Sequence, residues 1–470
     1  MIKNRILDQI LHFFPYKTTE EQLSALAKIS GFILSHGENI LLLKGYAGTG
    51  KTSLLGALVK ALNSLQQKTV LMAPTGRAAK VFSEYAGQNA FTIHKKIYRQ
   101  KEFSNDFTGF ALADNLHTHT LFIVDEASMI SNASTGMYSF GSGCLLNDLI
   151  HYVFSGAHCK LILMGDTAQL PPVSEQESPA LSINYLQRYS FHTGEISLTQ
   201  VVRQDSESGI LFNATHIRES LRRSKCNLFP TIYLRPFTDV KKVTGEDFIE
   251  TISADYSRDG IDDTIIICRS NKQAIQYNNG VRNRILYREE EISSGDRLMV
   301  VKNNYFLTGQ LQEQDFIANG EMMEVLRIRR SYNIYGFRFC DLLVRFQDND
   351  RELELRVLLD TLQDESPSLS KEQNDKLFFQ IWEDYAGEPT KADKIKKIKT
   401  DPYYNAVQIK YAYAVTCHKA QGGQWKNVFL DIGYVTQEML GENFYRWLYT
   451  AVTRATQRLY FVNLPQKMEK

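Results

Sequence analysis

Short apolar runs of strand length alternate with longer stretches of helical period through the first 200 residues. Ile40-Leu41-Leu42-Leu43, Val70 to Met72, Leu121 to Val124 and Leu161 to Met164 are each followed by a polar cluster, and Leu54, Leu55, Leu58, Val59, Leu62 and Leu65 trace a helical face after the first. Runs buried on both faces and separated by helices predict a parallel sheet, with ligands at the carboxyl ends of its strands. Ahead of the sheet, Ile2, Ile6, Ile10 and Phe13, and then Leu23, Leu26, Ile29 and Ile33, predict two amphipathic helices, the second opened by Thr and Glu at capping spacing in Thr18 to Gln22.

Beyond residue 200 the pattern restarts. Thr264 to Cys268, Ala412 to Thr416, Val428 to Ile432 and Leu459 to Val462 predict the strands of a second α/β domain, interrupted in sequence. The interruption, 294–360, alternates apolar and polar residues with turn signals at Asn319-Gly320 and Asp348-Asn349, the pattern of a small antiparallel barrel. A charged helical stretch follows over 361–400, with five lysines between Lys391 and Lys399 that read as a solvated face. The expected division is 1–200 for the first α/β domain, 201–293 with 401–470 for the second, 294–360 for the barrel and 361–400 for the helical extension.

The polar clusters carry the chemistry. Gly45 to Thr52 fits the phosphate-binding pattern G-x-x-x-x-G-K-[ST] at every fixed position, between a strand and a helix. Gly45, Gly48 and Gly50 free the backbone to turn N–H groups inward on an anion at a helix start, so Gly45, Ala47, Gly48, Thr49, Gly50, Lys51, Thr52 and Ser53 form the candidate nucleotide loop. Lys51 is expected on the terminal phosphates, and the Thr52 hydroxyl on Mg²⁺. After the third strand, Asp125 is a candidate Mg²⁺ ligand and Glu126 a candidate base for the attacking water. After the fourth, Gln169 can sense a γ-phosphate. Gln22 offers an amide donor and acceptor to a base edge. Arg454, before the last strand of the second domain, can reach a shared cleft as an arginine finger in cis. Ser131 to Gly143 reads as a surface loop without chemistry.

Composition narrows this little. A chain of 470 residues with 43% hydrophobic and 23% charged residues is long enough for about three globular domains. The net charge of +1 leaves room for a basic groove offset elsewhere. Six scattered cysteines, with no C-x-x-C pair, read as reduced core residues, and no apolar run approaches the ~18 residues of a membrane span. A cytoplasmic protein is expected, associated with the nucleoid if cellular.

The motifs, taken in order, carry a resemblance. Gly45 to Thr52, Ala73-Pro74-Thr75-Gly76-Arg77-Ala78-Ala79, Thr92-Ile93-His94-Lys95, Asp125-Glu126-Ala127-Ser128, Gly165 to Pro172, Val202-Arg203-Gln204, Thr416 to Gly422 and Val452-Thr453-Arg454 together resemble superfamily 1 DNA helicases of the RecD and Dda type. The resemblance implies two RecA-like motor domains with parallel sheets and a Src-homology-3-like barrel inserted in the second, with a tower-like helical extension. It implies a motor, expected to act as a monomer, that uses ATP and Mg²⁺, steps 5′-to-3′ on single-stranded DNA and unwinds duplex at junctions. In that scheme Gln22 reads adenine, Gln169, Arg203 and Arg454 contact the γ-phosphate, and Pro74, Thr75, Arg77, Thr92, His94, Thr416, His418 and Lys419 lie along the DNA. Gln421 and Gly422 link that track to the nucleotide. Residues 97–118 occupy the place of a strand-separating pin, where Phe103, Phe107 and Phe110 either stack on a base or pack the segment.

Two other readings share these motifs: an ATP-driven single-strand binding or remodelling protein that separates no strands, and an RNA helicase. A fused nuclease is disfavoured, because no further carboxylate or histidine cluster at metal spacing remains.

Overall fold

A computed structural model describes residues 2–35, 37–100, 110–133, 141–173, 175–201, 208–304, 317–347 and 350–470. Two fully parallel sheets and one closed barrel organise them. The first sheet runs in the order Ala90–Thr92, Thr69–Ala73, Leu121–Val124, Lys160–Gly165, Ile40–Gly45, Thr193–Leu198. The short apolar runs form its centre, with Leu42, Leu71, Phe122 and Leu163 fully buried because helices cover both faces.

Helices α1 (Ile2–Phe13), α2 (Glu20–Leu34), α3 (Lys51–Ser64) and α4 (Gly76–Ala86) pack on this sheet. A capping box opens α2, in which Gln22 N donates to Thr19 Oγ1 and Thr19 N donates to Gln22 Oε1. The Ile6, Ile10, Leu26 and Ile29 faces of α1 and α2 join Leu54, Leu58 and Leu62 of α3 in one core.

The second sheet runs Ala414–Thr416, Thr264–Cys268, Trp425–Asp431, Ala455–Val462, Val240–Val243. The barrel comprises Arg297–Val300, Met322–Ile334, Phe337–Phe346, Glu352–Leu358 and Val407–Tyr411. Its closing strand lies beyond the expected end at residue 360. In sequence that strand, Val407-Gln408-Ile409-Lys410-Tyr411, is followed almost directly by Ala414–Thr416, and only the bend at Ala412-Tyr413 parts barrel from sheet. A buried hub joins the two bodies: the Asp296 carboxylate accepts from Arg282, Arg288, Ser293 N–H and the Tyr413 hydroxyl. Four partners on one unexposed carboxylate offset its desolvation.

The charged stretch after the barrel forms the helices Lys371–Asp384 and Lys391–Lys399. Leu377, Ile381 and Ile398 seat them on Phe337 and Phe339 of the barrel. Among the described residues no helix is long and apolar enough to cross a membrane, and all six cysteines are free.

Candidate functional site

The phosphate-binding loop leaves the strand Ile40–Gly45 and enters α3 through Gly48 and Gly50, whose φ angles of +79° and +82° are left-handed. At Gly45 any Cβ would lie 2.8 Å from the Lys51 side chain, so glycine is needed for the lysine to fold back over the loop. No side chain caps α3 and no acidic residue lies in its first turn, which leaves a positive helix end without its own counter-charge. Lys51 Nζ donates to the Tyr46 carbonyl at 2.8 Å, and Thr52 is exposed at the helix start. Gln22 is buried behind the loop, donating to the Thr49 carbonyl at 3.0 Å.

Asp125 and Glu126 follow the strand Leu121–Val124 at the same end of the sheet. Asp125 N donates to Met72 O, fixing the backbone; Asp125 Oδ1 accepts from Glu126 N at 2.7 Å, and Oδ2 accepts from the Tyr85 hydroxyl of α4. Glu126 takes φ +51°, a left-handed conformation that costs a non-glycine residue about 1–3 kcal/mol and is found at functional sites. Burial pushes both carboxyls upward. At Asp125 the Tyr85 and Glu126 hydrogen bonds and the Lys51 charge oppose this. At Glu126 the opposition comes from Arg454 and Lys51, while Asp125 and Asp166 reinforce the rise.

The Glu442–Val452 helix of the second lobe closes over these groups. The Tyr449 hydroxyl donates to Asp166 Oδ2 at 2.7 Å and accepts from Ala47 N at 2.9 Å. Thr450 Oγ1 accepts from Leu170 N at 2.8 Å, and Gln421 Nε2 donates to Leu170 O at 2.9 Å. Arg446 donates to the Thr167 carbonyl. Arg454, 3% exposed, donates to Thr450 O and Gly423 O and places its charge where Glu126 feels it. Gln169 Oε1 is buried and without a hydrogen-bond partner among the described residues.

These observations fit a nucleoside triphosphate with its divalent cation. The uncapped helix start, Lys51 and Thr52 suit terminal phosphates; Asp125, whose carboxyl feels the Lys51 charge, suits Mg²⁺; and Gln169 holds a buried acceptor without a partner among the described residues.

The candidate DNA residues fall into three groups. Thr75 caps α4, accepting from Ala78 N at 3.2 Å, with half-buried Pro74 before it. Arg77 lies 4.0 Å over the Trp425 ring and donates to Gln424 O at 2.9 Å, so it spans the lobes. Thr92, 4% exposed, caps the Ile93–Ile97 helix, and burial drives His94 down to about 4, which keeps it neutral. Thr416 and exposed His418 flank Cys417, and Lys419 Nζ donates to Asn319 Oδ1 of the barrel at 2.8 Å. At the left-handed Gly422 (φ +74°) a Cβ would lie 3.0 Å from Thr75 Oγ1, so a glycine lets the first and third groups approach. Arg203 lies outside the described residues, as do Phe103 and Phe107 of the pin segment. Phe110 belongs to an antiparallel strand pair, Tyr98–Gln100 with Phe110–Leu112, and packs on the first lobe's core.

Tyr85, Tyr449, Thr450, Arg446 and Trp425 hold this arrangement together although no role was legible for them. Tyr449 and Thr450 lie just ahead of the Val452-Thr453-Arg454 motif, a signal of position without a signal of partner. Tyr85 carries no such signal.

A family model described as an AAA domain matches residues 17–225, and one described as a UvrD-like helicase C-terminal domain matches residues 411–462. The chain is 25% identical over 455 residues to the ATP-dependent RecD2 DNA helicase of Deinococcus radiodurans, across 94% of this chain and 48% of that protein, about half its length. It is 23% identical over 448 residues to the ATP-dependent DNA helicase dda of Enterobacteria phage T4, across 89% of this chain and 93% of that one. A solved structure concerning DNA unwinding at forked duplex by two coordinating Pif1 helicases shares the fold, with a TM-score of 0.50 at 16% identity over 97% of this chain and 94% of that chain.

Proposed function

Because the chain belongs to the superfamily 1 helicases of the RecD and Dda type, we propose that it is an ATP-driven motor that moves 5′-to-3′ on single-stranded DNA and unwinds duplex. The observation that carries this reading is the grip of one lobe on the catalytic loops of the other. Tyr449, Thr450, Gln421 and Arg446 of the second lobe bond Ala47, Asp166, Leu170 and Thr167 of the first. A nucleotide held there is read by both lobes, so its turnover changes how they sit.

In this reading the α3 N-terminus, Lys51 and the neighbouring loop peptides bind the phosphates, and Gln22 stands behind the loop toward the base. Thr52 and Asp125 would hold Mg²⁺, which supplies charge neutralisation at the phosphates. Glu126 accepts the proton of the attacking water, since burial and its acidic neighbours raise its basicity. Gln169, Arg203 and Arg454 stabilise charge on the γ-phosphate. Thr75, Arg77, Thr416, His418 and Lys419 line the junction of the lobes and the barrel, with Pro74, Thr92 and His94 beside it, and offer a single strand a track. The antiparallel pair Tyr98–Gln100 with Phe110–Leu112 falls in the stretch read as a strand-separating pin.

The test is unwinding of matched duplexes carrying a 5′ tail, a 3′ tail or an RNA tracking strand. Opening of the 5′-tailed DNA alone is the expected result. ATP hydrolysis with no opening of any substrate would favour a remodelling clamp, and equal opening of the RNA-tracked substrate an RNA motor.

A further inference from the structure

Helix α4 touches both halves of the proposed cycle. At its start Thr75 caps the helix, and Arg77 lies over Trp425 and bonds Gln424 O of the second lobe. Midway, Lys80 donates to the Gln347 carbonyl of the barrel. Near its end the Tyr85 hydroxyl donates to Asp125 Oδ2. At a rise of about 1.5 Å per residue, Arg77 and Tyr85 are ~12 Å apart along one rigid element.

The seat of Tyr85 is built from both sides. Its ring stacks on Phe82 with centroids 5.2 Å apart, and Phe82 is fully buried. Gly56 of α3 approaches so closely that a Cβ there would lie 2.8 Å from the Tyr85 carbonyl. The segment just before α4 is tied to the same aspartate, since Asp125 N donates to Met72 O. Asp125 is thus held at its backbone ahead of α4 and at its side chain by the end of α4.

We propose that Tyr85 is a positioning residue for Asp125, and that α4 conveys the state of its strand-facing end to this metal carboxylate. The proposal rests on the nucleotide and DNA assignments above. A partner that orients a ligating carboxylate changes metal affinity roughly ten- to a hundredfold when removed. The hydroxyl therefore sets how readily Asp125 takes Mg²⁺, and displacement of Arg77 by a bound strand shifts that setting through the helix.

The experiment titrates Mg²⁺ against binding of a fluorescent ADP analogue to the full chain, with and without an oligothymidylate single strand, for wild type, Tyr85→Phe and the packing control Phe82→Leu. In wild type the single strand is expected to lower the Mg²⁺ concentration at half-saturation. Tyr85→Phe should raise that concentration roughly tenfold or more, abolish the shift by DNA and leave metal-free nucleotide binding unchanged. Phe82→Leu, which loosens packing and keeps the hydroxyl, should lower the melting temperature with Mg²⁺ dependence near wild type. A Tyr85→Phe midpoint within about twofold of wild type, or an equal rise in Phe82→Leu, would overturn the positioning role. A DNA shift retained in Tyr85→Phe would overturn the transmission role. Should wild-type hydrolysis prove insensitive to DNA, the motor reading fails, while the DNA-free titration still decides the role of Tyr85.

Discussion

The Tyr449 hydroxyl stands 2.7 Å from Asp166 Oδ2 while accepting the Ala47 N–H, so one side chain of the second lobe fixes two loops of the first. Tyr449 is 1% exposed, and Tyr449→Phe keeps the packing ring while removing both bonds. A hydrogen bond to a charged group is worth ~1.5–3 kcal/mol, so the DNA-stimulated kcat should fall roughly tenfold or more while nucleotide affinity stays near wild type. Combining Tyr449→Phe with Asp166→Ala should cost less than the sum of the two single changes, since the Tyr449–Asp166 bond is common to both. Steady-state kinetics of the four proteins checks this.

Glu126→Gln keeps the shape of the side chain and removes its capacity to take a proton. Turnover should be lost while the affinity for an ATP analogue, measured by equilibrium titration, remains near wild type. Lys51→Ala should abolish hydrolysis, because nothing else on the loop replaces its charge at the phosphates.

The strand ends were legible because apolar runs buried on both faces have few alternatives, and the motifs at those ends follow from local spacing. The arrangement across the cleft was not. Leu170 shows why: its N–H and carbonyl are taken by Thr450 and Gln421, residues about 250 or more positions away that no local pattern pairs with it. Arg77, expected on the DNA, is held by Trp425 and Gln424, a tertiary use that a side chain with five donors permits equally well. Ala47, expected to face phosphate, sends its N–H to Tyr449. The barrel's last strand was hidden because only two residues separate Val407–Tyr411 from Ala414–Thr416, too short a break to mark the passage from barrel to sheet.

Arg454 donates to Thr450 O and Gly423 O and acts on Glu126 by charge. Arg454→Ala should bind nucleotide and hydrolyse it slower by on the order of 10³-fold, the loss expected of an arginine finger. Arg203→Ala is predicted to behave alike. Single-turnover hydrolysis in the presence of DNA is the measurement.

Lys419 is drawn down to about 8 by burial and by the neighbouring Lys410 charge. A phosphate at Lys419 favours its protonated form, so single-strand affinity should be full below pH 8 and fall as pH rises through that value, with at most one proton linked. Lys419→Arg stays charged throughout and should flatten the profile. Fluorescence anisotropy of a labelled single strand between pH 6.5 and 9.5 (roughly the range spanning the transition) reads both.

A single strand bound across the lobes is proposed to complete the hydrolytic site, and the rate of ATP hydrolysis with and without single-stranded DNA reads this out. Strong stimulation is expected, lost in Lys51→Ala and Glu126→Gln and reduced in Arg454→Ala. Stimulation below about twofold in the wild-type chain would contradict it, because the cleft would then be complete without DNA.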